Sequence, residues 1–153
     1  MFRRELLSKI PRILGLGLLG LRSARAQEST GHKTLKIMIK SAWGSDDPTR
    51  ASFPFAHGLA LADAGHEVQI FLTGEATYLM RKATVSQIFP VGWPPLSEMQ
   101  EKIVAKHIQV FSRGVCSRAR GVTETDLKDW GAKFGSPAVF VSLVEWADRI
   151  ITE

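Results

Sequence analysis

The chain has 153 residues, 44% of them hydrophobic and 23% charged, with a single cysteine. That is enough chain for one compact domain with a real core, and the composition excludes a disordered, collagen-like or disulfide-stapled protein. The formal net charge of +5 would point to a nucleic-acid or membrane partner, yet six of the twenty basic residues and one of the fifteen acidic ones fall within residues 1–26, leaving fourteen of each sign elsewhere. A remainder of zero net charge withdraws the compositional support for nucleic-acid binding.

Residues 1–26 have the layout of a bacterial export signal. A charged start (Arg3, Arg4, Glu5, Lys9) precedes an apolar run from Ile13 to Leu21, and Ala24-Arg25-Ala26 offers small residues where a signal peptidase reads. Cleavage is expected before Gln27, which predicts a periplasmic protein. The paired arginines followed by Leu6, Leu7 and Lys9 resemble a twin-arginine signal. The run is far short of the roughly 20 residues needed to cross a bilayer, so no stable membrane insertion is expected after cleavage. Gly15-Leu16-Gly17-Leu18-Leu19-Gly20 matches a dinucleotide-binding fingerprint in letters only. No strand precedes it, and without the strand-to-helix turn its glycines have no pyrophosphate to approach.

After a polar leader over 27–34, residues 35–153 read as one domain. Leu35–Lys40 alternates as a first strand and ends at a loop beginning Trp43-Gly44. Thr49–Ala64 reads as a helix closed by Gly65, with Pro54 either kinking it or marking its first turn. Val68–Leu72 is the second strand, with Gly74 opening the loop behind it. A short helix around Ala76–Lys82 follows, then an apolar stretch at Ile88–Val91 and the Gly92-Trp93-Pro94-Pro95 turn. Ser97 is a candidate N-cap for a helix to about Lys106, and Ile108–Phe111 is a further strand. Thr123 and Asp126 have capping-box spacing for a helix Leu127–Phe134, Ala138–Val141 reads as the last strand, and Leu143–Thr152 as a closing helix.

Strands alternating with helices, and no hairpin between them, predict a single three-layer α/β domain. Its mainly parallel sheet of about five strands would carry helices on both faces, in a flavodoxin-like layout. Chemistry in such folds sits beyond the carboxyl ends of the strands. The residues placed there are Trp43-Gly44, Thr73-Gly74-Glu75, and Ser112–Cys116 after the fourth strand. The Thr49–Ala64 helix has two apolar stripes (Phe55, Leu59, Ala62 and Phe53, Ala56, Ala60, Ala64), which admits either a subunit contact or tight packing within one chain.

Cys116 is the sharpest chemical candidate. It sits at a predicted helix start within Arg113-Gly114-Val115-Cys116-Ser117-Arg118-Ala119-Arg120, where helix N–H groups and three arginines favour thiolate over thiol. The alternative is an inert buried cysteine. Arg118 and Arg120 could hold an anionic sulfur species or be solvated surface charge. One cysteine excludes an intrachain disulfide. His32, His57, His66 and His107 have no metal-site spacing, so no metal is expected, and no cofactor is implied. His57 reads as a packed histidine rather than a base, and no G-x-S-x-G elbow supports a serine hydrolase.

Three segments together resemble the DsrE/DsrF-like family: Ala62–Leu72 its first helix-to-strand junction, Cys116–Leu127 its cysteine segment, and Val144–Arg149 the close of one branch. The resemblance implies a small α/β domain that forms homo-oligomers. In sulfur-relay members a cysteine after the fourth strand carries sulfane sulfur as a persulfide, and Cys116 matches that position. The carrier role transfers to Cys116 alone; the substrate-binding candidates Arg113, Arg118, Arg120, Gly44 and Gly74 come from their placement around the cysteine and on the same rim. Some relatives carry a second cysteine where this chain has Arg113, so exchange here would need a sulfur donor or acceptor protein or a small thiol. The rival expectation is a non-catalytic oligomeric module that binds a small ligand and whose cysteine is incidental. Accessibility of Cys116 separates the two.

Overall fold

Alternating apolar side chains on Lys36–Ser41 (β1) give it two buried faces, Ile37 and Ile39 toward one side and Met38 toward the other. Such a strand belongs in the middle of a sheet covered on both sides. The computed structural model describes residues 33–153, so the export signal read at 1–26, and the leader up to His32, lie outside the described residues. Glu67–Leu72 (β2), Gln109–Arg113 (β3), Lys133–Gly135 (β4) and Arg149–Thr152 (β5) complete a fully parallel sheet in the order β4-β3-β2-β1-β5.

That order explains the layers. The crossovers β1 to β2, β2 to β3 and β3 to β4 all step in one direction, so right-handed connections put their helices on one face. The last crossover, from β4 across to β5, runs the other way and sends its helix to the opposite face. On the first face Pro48–Asp63 (α1) and Leu96–Ala105 (α3) enclose the main core, from Phe55 and Ile103 to Ile39, Ile70 and Val110. The loop between β2 and α3 holds a 3₁₀ helix, Gly74–Met80, and one turn of α-helix, Lys82–Val85 (α2). Gly114–Ala119 (α4) and Glu124–Asp129 (α5) join β3 to β4. The second face is covered by Pro137–Trp146 (α6), with Leu143 seated on Met38 and Phe71.

Local signals account for several of these elements. Asp47 caps α1 by accepting from the Arg50 N–H at 3.0 Å, and Pro48 takes the first helical position, where a missing N–H costs nothing. Helix α1 runs through Pro54. The capping box is present, with the Thr123 hydroxyl accepting from the Asp126 N–H at 3.2 Å and the Asp126 carboxylate accepting from the Thr123 N–H at 2.8 Å.

Five expectations are corrected. Ala138–Val141 is helical, because Ser136 accepts from the Val139 N–H and Pro137 starts a helix. Helix α6 ends at Trp146, and Ile150-Ile151, read as its last turn, belong to β5 beside β1. Helix α5 stops at Asp129, which frees Lys133–Gly135 to pair with β3. Helix α3 is entered from Pro95 rather than capped by Ser97. Ile88–Val91 lies in a loop, so the strand preceding Cys116 is the third of the five.

Candidate functional site

Strand β3 passes directly into α4, and a buried hydrogen bond fixes the angle between them. The hydroxyls of Ser112 and Ser117, both with no solvent exposure, lie 2.8 Å apart. Each satisfies the other, which is the condition for burying a hydroxyl at little cost. Cys116, one residue before Ser117, is thereby held beyond the carboxyl end of β3. It is half-buried, and its Sγ stands 3.8 Å from Thr73 Oγ1 at the end of β2.

Arg120 ties this turn to the 3₁₀ helix. Its Nε donates to Glu75 Oε2 at 3.0 Å, its Nη2 donates to Glu75 Oε1, and its Nη1 donates to the Cys116 carbonyl oxygen at 3.1 Å. A forked pair of this kind carries directional strength that a point charge lacks. Hydrogen bonding to Arg120, reinforced by its charge, holds the Glu75 carboxyl below its usual value despite an opposing desolvation contribution. The same hydrogen bond raises Arg120. Gly44 packs against Glu75: a Cβ there would lie 2.6 Å from Glu75 Cβ, closer than side chains approach, and 3.1 Å from the Glu75 carbonyl oxygen. Gly74, at φ +52°, opens the 3₁₀ helix, and Thr77 Oγ1 donates to its carbonyl oxygen.

The three arginines expected around the sulfur therefore have different situations. The charge of Arg120 is matched by Glu75. Arg118 is exposed and lays its guanidinium against Gly114, where an added Cβ would meet Nη1 at 3.2 Å. Arg113 is exposed at the end of β3 and lines a cavity shared with Lys40 and Thr73. Thr73 and Glu75 were placed on this rim from the sequence without a role of their own, and Lys40 was not singled out. A lysine at the end of a strand with apolar residues on both faces was the available signal for Lys40. His57 is an exposed side chain that meets the Glu153 carboxylate and stacks on Phe53 at 5.4 Å between ring centroids. Among the described residues no group of three His, Cys, Asp or Glu side chains could hold a metal.

The depressed Glu75 carboxyl makes the Arg120 clamp acid-sensitive, with a definite sign. Its stabilising contribution is present above the ordinary carboxylate value and is lost as pH falls through the lower, folded-state value. Between pH 6 and pH 3, wild type should lose more thermal stability than Glu75→Gln, which has no carboxyl to protonate at this position. Parallel pH profiles for the two proteins would show that the pair contributes nothing.

The model of the DsrE/DsrF-like family matches residues 35–152. Among solved structures, the fold is similar to that of the ychN protein from E. coli, with TM-score 0.66 and 19% identity over 78% of this chain and 100% of that one. It is also similar to a conserved protein of unknown function from Bacteroides thetaiotaomicron, with TM-score 0.57 and 13% identity over 77% of this chain and 94% of the other. No curated protein matches the sequence significantly.

Proposed function

The chain belongs to the DsrE/DsrF-like family, and on that premise we propose that it is a sulfur-handling protein in which Cys116 accepts sulfane sulfur and passes it on. The observation that carries this reading is the placement of the chain's one cysteine. It lies beyond the carboxyl end of an interior parallel strand, half-buried, with the Thr73 hydroxyl 3.8 Å from the sulfur. In the transfer, the Cys116 thiolate attacks the terminal sulfur of a persulfide R–S–SH. The new S–S bond forms as the old one breaks, RS⁻ leaves and takes a proton, and no net oxidation occurs. A second thiolate, from a partner protein or a small thiol, removes the sulfur by the same step.

Incubation with a persulfide donor is expected to add one sulfur atom to the wild-type mass, removable by a reducing thiol, and none to Cys116→Ser. A wild-type protein that takes up no sulfur would leave a ligand-binding module with an incidental cysteine as the better reading.

We also infer that the protein self-associates. The outward stripe of α1 ends in small exposed residues, Ala60 and the C-capping Ala64, whereas α6 leaves Val144 39% exposed and edge strand β5 leaves Ile150 47% exposed. Apolar side chains on a helix and on an unpaired sheet edge favour a contact with another copy over permanent solvation. Light scattering should give a multiple of the chain mass at micromolar concentration; a single-chain mass would refute the contact.

A further inference from the structure

The carboxyl ends of β1, β2 and β3 are neighbours in register, with Lys40 beside Phe71 and Phe71 beside Phe111. On the α6 side of the sheet, Lys40, Phe71, Thr73 and Arg113 form one wall of a cavity of about 360 Å³, and Ser136, Pro137, Phe140 and Val141 form the other. This is at the small end of the range for ligand sites. Its lining holds two cationic side chains and no carboxylate.

The charges are unmatched. Arg50, Lys106 and Arg120 each have an acidic partner, but among the described residues neither Lys40 nor Arg113 has one within 4.0 Å. Lys40 is also in an unusual place. It occupies the same side of β1 as Met38, half-buried next to Phe71 and Phe140, where an ammonium without a counter-charge is costly. A long stem lets a lysine head reach water, so position alone would not identify a site. The convergence of Lys40, Arg113, Thr73 and Ser136 on one cavity is what does. Thr73 also connects it to the sulfur, since it lines the cavity and its hydroxyl stands 3.8 Å from Cys116 Sγ.

We infer that this cavity holds the anionic end of a small sulfur donor: a low-molecular-weight thiol persulfide bearing a carboxylate, with its apolar body against Phe71, Phe140 and Val141. The identity of the occupant rests on the sulfur-transfer reading, whereas anion binding by the cavity does not. Lys40 and Arg113 would fix the carboxylate, and Thr73 would stand between that anchor and the reacting thiol. Arg118 and Arg120 have no part in it.

The test uses Cys116→Ser, which can bind but cannot accept sulfur, titrated calorimetrically with glutathione and with glutathione diethyl ester. Glutathione is expected to bind, and the ester to bind more weakly by about tenfold or more, the scale of losing a desolvated charge partner. Lys40→Met and Arg113→Gln in the same background should each weaken glutathione binding by a similar factor, while Arg118→Gln leaves it unchanged. Val141→Trp, which fills the cavity without touching a charge, should abolish binding. Binding unaffected by Lys40→Met and Val141→Trp in folded protein, or absent altogether, overturns the inference even if wild type accepts sulfur. Binding with the expected dependence in a protein that accepts no sulfur upholds the anion cavity and rejects the sulfur donor as its occupant.

Discussion

Phe55→Ala is expected to remove about 3–5 kcal/mol of stability, the largest effect of any single truncation considered. The Phe55 ring, on the inner side of α1, has no solvent exposure and belongs to the core that joins α1 to the sheet. Deleting it loses its transfer free energy and leaves a void that neighbours such as Ile39 and Ile70, themselves fully buried, cannot collapse to fill. Such a loss is a large part of the 5–15 kcal/mol by which domains are stable. Phe53→Ala, two positions away with a half-exposed ring, should cost clearly less. Urea unfolding of both variants measures the difference, and equal losses would contradict the burial that separates them.

Gly135→Val is expected to cost about 2–3 kcal/mol for the opposite reason, overpacking. A Cβ at Gly135 would lie 2.6 Å from Phe71 Cε2, 3.3 Å from Phe71 Cζ and 3.5 Å from Phe111 Cβ. The Phe71 ring is 2% exposed and packs on Phe140 at 5.2 Å between centroids, so it cannot swing away without displacing α6. The same ring forms part of the cavity wall, so the substitution should weaken glutathione binding as well as stability. Phe71→Leu should relieve part of the strain, so that the double variant loses less than the sum of the two single ones. Strict additivity would show that the clash is absorbed elsewhere.

The first half of the domain was legible because its signals are local. Strands β1 and β2 alternate or run apolar between turn residues, and α1 begins at Asp47-Pro48; the Thr123–Asp126 box, further along the chain, was legible for the same reason. The last third was misread where propensity and position disagree. Ala138–Val141 is rich in β-branched and aromatic side chains, yet Ser136-Pro137 starts a helix there, and covering the second face of the sheet outweighs strand propensity. Cys116 was placed on the correct rim because it follows a strand directly. The Arg120–Glu75 clamp and the Lys40–Arg113 cavity were not legible, since each joins side chains from separate elements that only strand order and register bring together.

Strand β1 is the first strand of this sheet to be made and among the last to have both neighbours in place. On one side β1 is joined by β2 soon after synthesis, but its other neighbour is β5, anchored by the Asp148 N–H to the Lys36 carbonyl at 2.8 Å and the Glu153 N–H to the Lys40 carbonyl at 2.9 Å. Until residues 149–152 have left the ribosome, β1 presents a row of unpaired backbone groups to its surroundings. A nascent chain stalled anywhere before that point therefore carries as an open edge a strand that the finished sheet covers on both sides.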